Sequence, residues 1–312
     1  MRILITGGAG FVGSHLCESL CKDKKITATD RITCLDDLSN SQFSNIRNLY
    51  GIITQFAFVD GSILDKNFMH DLIVNNDLVI HLAAQIHVDK AVISPVSTSD
   101  VNIQGTMNIL EECRKYDKSL IYAATSETYG SAKYMPVDEK QPLNPDNIYG
   151  ATKLSAEKLC DLYERTYGMD IKILKCFNIY GPRQKDTAGG SFIPMTIRRI
   201  LAGERPIIFG SGEQKRDYTY IDDIVEAYIK TINCKNFGNP INIGYGKSYS
   251  INEITSKLLN ILKSDLEPRY LAARVLEIED SCADTHKAKE ILGWEPKIDI
   301  DTGLSKLCEY YR

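Results

Sequence analysis

Seven residues near the start, Gly7-Gly8-Ala9-Gly10-Phe11-Val12-Gly13, constrain this chain more than any other segment. They follow a short apolar run, Arg2–Thr6, and lead into a helical pattern over Val12–Cys21, so the glycines at 7, 10 and 13 sit where a strand turns into a helix. In that setting each glycine has its own duty. Gly7 permits the tight turn, Gly10 lets the backbone approach a pyrophosphate, and Gly13 lets the helix pack closely on the sheet. The helix N-terminus at Phe11 and Val12 then faces the phosphates. Such a loop implies a bound dinucleotide and a doubly wound parallel sheet behind it.

The runs that follow keep the same alternation. Strand-like segments at Ile32–Leu35, Gln55–Val59, Leu78–Ala83, Ser119–Ala124 and Ile171–Phe177 alternate with helical patterns at Lys66–Val74, Ile103–Lys115 and Tyr149–Tyr167. Apolar strands flanked by helices belong to a parallel sheet covered on both faces, an α/β architecture. After Phe177 the rhythm breaks at Gly181-Pro182, Gly189-Gly190 and Gly203–Pro206, marking a second, smaller region. The 312 residues, 43% apolar and 25% charged, are enough to build its core.

Other features narrow the partners. A net charge of −4 without any Lys/Arg run argues against nucleic acid. The longest apolar candidate, Leu78–Gln85, contains His81 and falls far short of the ~20 residues of a membrane span. The N-terminal apolar stretch reaches glycine too soon for a signal peptide, so a cytoplasmic protein is expected. Nine cysteines lie scattered without C-x-x-C spacing, which favours reduced, buried thiols over disulfides or a metal site.

Two acids compete for the ribose hydroxyls of the dinucleotide. Arg31–Leu35 is the better strand and ends at Asp36, whereas Ile26–Thr29 ends at Asp30, closer to the usual ~20-residue spacing. Asp36 is preferred. Either carboxylate would repel a 2′-phosphate, so NAD is expected rather than NADP, with Arg31 the counter-argument if Asp30 is the binder. Asp60, after the third strand, is a candidate for the adenine edge. Farther along, Tyr149 and Lys153 share one helical face four residues apart, where the ammonium and a positive nicotinamide ring would together lower the phenol pKa from its usual ~10. The strand Leu120–Ala124 delivers Thr125, Ser126 and Glu127 to the C-terminal edge of the sheet, where doubly wound folds bind ligands.

These residues resemble the extended short-chain dehydrogenase/reductase superfamily, in its NAD-dependent branch acting on nucleotide-diphosphate sugars. The resemblance rests on the glycine loop, His81-Leu82-Ala83-Ala84, Asn102-x-x-Gly105-Thr106, Ala124–Gly130, Tyr149 with Lys153, Phe177–Arg183, Gly212–Asp223 and Leu292-Gly293-Trp294-x-Pro296. It implies a Rossmann-type domain over 1–177 with 214–246, and a mixed α/β substrate domain over 178–213 with 247–312. Leu82, Ala83 and Ala84 would line the cofactor. Thr125 would bind the sugar's 4-oxygen beside Tyr149, while Asn178, Arg216 and Arg274 would hold the diphosphate, and Ile207 would pack near the base. His87 and Lys90 are candidates to touch the sugar. The resemblance also implies a homodimer through the helices at Ile103–Lys115 and Tyr149–Tyr167, for which Cys113, Leu154, Cys160 and Leu162 offer apolar surface; the same positions equally suit packing on the chain's own sheet.

Members of this branch begin by oxidising the sugar, usually at carbon 4. A 4-ketone acidifies the proton on carbon 5, and Glu127 is the candidate base for its removal and for loss of the carbon-6 hydroxyl. Thr-Ser-Glu at 125–127 resembles GDP-mannose dehydratases and UDP-glucuronate decarboxylases. The decarboxylases carry an arginine near the equivalent of Asp284, where this chain has Asp280-Ser281-Cys282-Ala283. A 4,6-dehydratase is therefore placed ahead of a 4-epimerase, with net oxidation at carbon 4 and decarboxylation behind them. An idle dinucleotide-binding sensor is disfavoured because Thr125, Tyr149 and Lys153 occur together.

Overall fold

Strands whose side chains are apolar on both faces must be covered on both, and that requirement organises the molecule. The computed structural model of the chain describes residues 1–22, 30–51, 55–187, 190–273 and 278–312. Its first half alternates strands β1 (Arg2–Thr6), β2 (Arg31–Asp36), β3 (Phe56–Asp60), β4 (Leu78–His81), β5 (Ser119–Thr125) and β6 (Ile171–Cys176) with helices. Those helices are α1 (Phe11–Lys22), α2 (Lys66–Val74), α3 (Val88–Ile93), α4 (Pro95–Ser99), α5 (Thr106–Lys115) and α6 (Ile148–Tyr167). The second half adds β7 (Asn178–Tyr180), α7 (Phe192–Leu201), β8 (Ile207–Phe209), β9 (Lys215–Tyr220), α8 (Ile221–Ile232) and β10 (Ile241–Ile243). It closes with β11 (Ser248–Ser250), α9 (Ile251–Leu262), β12 (Arg269–Leu271), α10 (His286–Leu292) and α11 (Ile300–Tyr311).

Among the described residues, seven strands form one sheet in the order β3-β2-β1-β4-β5-β6-β10, every neighbouring pair parallel. This is the Rossmann-type order with one strand added, and the chain reverses direction of winding between β1 and β4. Side-chain alternation divides the core. Ile3 and Ile5 pack on one face with Leu16, Leu20 and Ile224, whereas Leu4 packs on the other with Met69, Ile109 and Cys160. The remaining strands make a three-stranded sheet, β11-β9-β7, and a two-stranded one, β12-β8.

Several boundaries differ from the sequence pattern. The expected strand Leu78–Ala83 stops at His81, because Leu82–Ala84 leave the ladder to form a loop. The helix expected from Ile103 begins as α5 at Thr106 and is preceded by a π-helical turn over Asp100–Gly105. Cys113 and Cys160 are not dimer surface. Both are fully buried against the chain's own sheet, since they fall on the inner faces of α5 and α6, while Leu162 is exposed and Leu154 half-buried. All nine cysteines are unpaired, seven of them buried.

The smaller sheets are fastened to the large one by buried polar groups. Trp294, fully buried, donates its Nε1–H to the carbonyl of Asp223 at 2.9 Å, tying the segment after α10 to α8. Asp217 on β9, also fully buried, accepts backbone N–H groups from Tyr245, Gly246 and Ala283 at 2.6, 2.9 and 3.0 Å. Burial nevertheless raises its carboxyl to about 6. Asp217→Ala strands three donors, so unfolding stability at neutral pH should drop by about 2–3 kcal/mol, read from the denaturant midpoint at unchanged slope.

Candidate active site

The glycine loop crosses the sheet where its winding reverses, and the crossing leaves no space for side chains on one side. Gly7 has φ +70°, and a Cβ there would lie 2.7 Å from the backbone nitrogen of Ala83. At Gly13 a Cβ would collide with the carbonyl oxygen of Gly7, so α1 could not start so close to the turn. A Cβ at Gly10 would meet only the Gly7 carbonyl, at 3.1 Å. Its other side is the open cradle a pyrophosphate needs, at the N-terminus of α1 where Phe11 and Val12 lie half-buried. The loop therefore fits a dinucleotide. Leu82, Ala83 and Ala84 form the opposite bank, with the Leu82 N–H donated to the Thr6 carbonyl at 3.0 Å.

The two candidate ribose acids lie at opposite ends of β2. Asp36 is its last residue, buried beside the loop, where it accepts the Ala9 and Leu38 N–H groups at 3.0 Å each and the Ser41 hydroxyl at 2.7 Å. Asp30 precedes the strand at the far edge and ion-pairs with the N-terminal ammonium. The alternative strand ending at Thr29 lies outside the described residues. Asp60 ends β3 in register with Asp36 and is exposed.

Helix α6 brings the reactive groups together. Its N-cap is Asn147, whose Oδ1 accepts the Gly150 N–H at 2.8 Å while its Nδ2 donates to Glu127 Oε2 at 2.8 Å. A Cβ at Gly150 would come within 2.7 Å of the Glu127 carbonyl, so this glycine lets the helix press against the loop after β5. Tyr149 and Lys153 follow one turn apart, both buried. Thr125 stands near the Tyr149 phenol and favours its charged form. Lys153 Nζ donates to the Ala123 carbonyl at 2.7 Å and lies 4.3 Å from the centre of the Tyr122 ring. Burial pushes the lysine down to about 8. Burial first, then the Glu127 charge, raise the Tyr149 phenol above its ordinary value in the chain alone, with Thr125 opposing them.

A buried polar chain that the sequence reading left without a role connects the loop to α6. Ala83 N–H donates to Thr6 Oγ1 at 3.3 Å, and Thr6 Oγ1 to His81 Nδ1 at 2.8 Å. Thr106 Oγ1 gives its proton to the Asn102 carbonyl at 2.7 Å, so at 3.0 Å it accepts from His81 Nε2, which fixes the tautomer. His81 is held neutral, lowered by burial to about 3. Asn102, inside the π-turn, donates to Thr152 Oγ1 at 2.9 Å and to the Gln85 carbonyl at 3.0 Å. Asn102 and Thr106 were legible as parts of a motif, Asn102-x-x-Gly105-Thr106, to which no role was attached, and Thr152 as a residue between Tyr149 and Lys153.

On the substrate side a cleft collects Ser126, Glu127, Asn178 and Arg216 together with Ile278 and Asp280. Asn178 opens β7, in register with Tyr218 of β9, and Arg216 stands two residues before Tyr218. Ile207 is outside the cleft lining, half-buried at the start of β8 and paired with Arg269. Arg274 lies outside the described residues. His87 caps α3 and faces Asn40 Oδ1 at 2.9 Å, while Lys90 is exposed. Behind the cleft, Lys175 Nζ pairs with Glu157 at 2.9 Å and lies 4.2 Å from the centre of the Tyr129 ring.

A family model described as GDP-mannose 4,6 dehydratase matches residues 4–307. A putative UDP-glucose 4-epimerase of Methanocaldococcus jannaschii is 38% identical, over 99% of this chain and 98% of its own. A UDP-N-acetyl-alpha-D-glucosaminuronate decarboxylase of Bacillus cytotoxicus is 34% identical, over 100% and 98%. The solved structure of a dTDP-glucose 4,6-dehydratase from Streptomyces venezuelae, with NAD and TYD bound, superposes with a TM-score of 0.94 at 29% identity, covering 100% and 97% of the two chains.

The two ends of β2 are separable by mutation. Asp36→Ala should weaken dinucleotide binding by about tenfold or more, equivalent to about 1.4 kcal/mol, whereas Asp30→Ala should leave it within about twofold. Titration calorimetry with NAD reads both.

Proposed function

Because the chain belongs to the family of NAD-dependent nucleotide-sugar epimerases and dehydratases, within the extended short-chain dehydrogenases, we propose that it oxidises carbon 4 of a nucleotide-diphosphate sugar and then removes water across carbons 5 and 6, as a 4,6-dehydratase. The observation that carries this reading is Glu127. Its carboxylate lines the cleft with Asn178 and Arg216 and is fixed by Asn147, the cap of the helix that bears Tyr149. A carboxylate held at constant distance from the oxidation centre suits a second proton transfer on the same sugar.

Bound NAD would supply a hydride acceptor for carbon 4 and a hydride donor to carbon 6 after water has left, carbon 5 then regaining a proton, and its positive ring would add to Lys153 in favouring the phenolate. The residues of the chain handle the protons. Tyr149 takes the proton of the 4-hydroxyl, with Thr125 orienting that oxygen. Lys153, cationic below pH of about 8, holds the phenolate form. Glu127 takes the carbon-5 proton made acidic by the ketone and delivers it to the departing carbon-6 hydroxyl, which leaves as water. Asn178 and Arg216 bind the diphosphate, the guanidinium as a charged fork. Asp36 holds the adenosine ribose.

A 4-epimerase is the second reading, supported by the 38% identity to a putative UDP-glucose 4-epimerase. In that case Glu127 acts only through Asn147 on the start of α6. A homodimer is also proposed, using the exposed Leu162 on α6 and the exposed Val92, Ile93 and Val96 beside it.

Tyr149→Phe should lower turnover by about a thousandfold or more while leaving nucleotide-sugar affinity within threefold, as about 4 kcal/mol is lost from the transition state alone. Glu127→Gln divides the readings. With a panel of UDP-, GDP-, dTDP- and CDP-sugars, the wild type should give a product lighter by one water, and the variant should accumulate NADH without that loss. A product of unchanged mass and altered stereochemistry selects the epimerase. Oxidation should also decline as pH rises through about 8, because Lys153 loses its charge there; a rate profile of wild type against Lys153→Arg, whose charge persists, tests the assignment.

A further inference from the structure

We propose that Asp280 reads the sugar, selecting an uncharged ring that offers it a hydroxyl or amide N–H and rejecting one that carries a carboxylate; this rests on the nucleotide-sugar reading of the site. Asp280 lines the cleft shared by Ser126, Glu127, Asn178 and Arg216. Its Oδ1 is shielded from solvent and has no hydrogen-bond partner among the described residues. Native structures hold few such atoms, because a shielded acceptor without a donor is costly.

Backbone bonds on both sides fix the path of the chain that carries Asp280. Lys215 N–H donates to the Glu279 carbonyl at 2.8 Å on one side of Asp280. On the other, Val137 N–H donates to the Cys282 carbonyl and Asp284 N–H to the Val137 carbonyl, both at 2.8 Å, and Ala283 N–H donates to buried Asp217 at 3.0 Å. The segment is thus stitched to β9 and to the loop at Val137, and the orphan acceptor is a built feature of the cleft. A donor on the substrate satisfies it. The cleft lining holds two carboxylates, Glu127 and Asp280, beside the guanidinium of Arg216, which the diphosphate engages. A hexuronate would bring a third negative group to a lining in which, among the described residues, Arg216 is the one cation and the diphosphate engages it.

The test compares matched pairs, UDP-glucose with UDP-glucuronate and GDP-mannose with GDP-mannuronate, plus UDP-N-acetylglucosamine as the amide donor, reading turnover by product mass and stereochemistry and hydride transfer by transient enzyme-bound NADH in a single turnover. The wild type should favour the neutral member by about a hundredfold in kcat/KM, and Asp280→Asn should shrink that ratio by about tenfold or more. Asp280→Ser should move it the same way, with NAD affinity and melting temperature kept as checks on folding. Preference for UDP-N-acetylglucosamine over UDP-glucose identifies the amide as the donor, and the reverse identifies a hydroxyl; both support the proposal. Equal turnover of uronate and neutral sugar by the wild type, or an unchanged ratio in both variants, overturns it. Failure to transfer hydride from any sugar nucleotide overturns the underlying reading instead.

Discussion

The close approach of β1 and β4, with the hydrogen bonds that cross it, is the constraint on which the rest of the site depends. Gly7 lies against the backbone of Ala83, and the Thr6 and His81 side chains meet directly beneath. From His81 the polar chain continues through Thr106 and Asn102 to Thr152, one residue before Lys153. Every member is buried, so each donor needs its acceptor and the chain has one satisfactory direction. The phosphate loop and the catalytic helix, more than a hundred residues apart in sequence, are thereby set at a fixed separation. The π-turn at Asp100–Gly105 is part of this device, since it carries Asn102 into reach of both Gln85 and Thr152.

Charge at the site is governed by burial as much as by proximity. Lys153 is lowered and Tyr149 raised, each toward its neutral form, because removal from water penalises the charged species of both. Such a pair stays protonated on oxygen until a further positive charge arrives. The Lys175–Glu157 pair behind the Tyr129 ring is a second buried ion pair, and Glu157 lies one turn beyond Lys153 on α6. Losing one partner of such a pair leaves an uncompensated charge, at a typical cost of about 3–5 kcal/mol, so its value lies in holding Tyr129 and the loop after β5 in place.

Much of this was legible in advance where chemistry is local. The glycine spacing, the strand–helix alternation, the N-terminal strand leading into a turn, and the Tyr149–Lys153 pair each depend on residues within one or two helical turns. The preferred strand Arg31–Leu35 is β2, as its β-branched Ile32 and Thr33 favour. The faces of Cys113 and Cys160 were not legible, because an apolar helix face looks the same whether a sheet or a second subunit covers it. The burial that raises Tyr149 was not legible for a related reason: desolvation is a property of the packed environment and not of the Tyr-to-Lys spacing.

The sequence by itself determined the doubly wound sheet, the dinucleotide loop and the phenol–ammonium pair, since backbone conformation and helical periodicity are set by neighbours along the chain. Only the tertiary structure decided that Asp36 braces the loop, that Asn147 fixes Glu127, and that Arg216 and Asp280 face the same cleft. These pairings join segments distant in sequence, and their energies come from burial and long-range hydrogen bonds that no local pattern encodes.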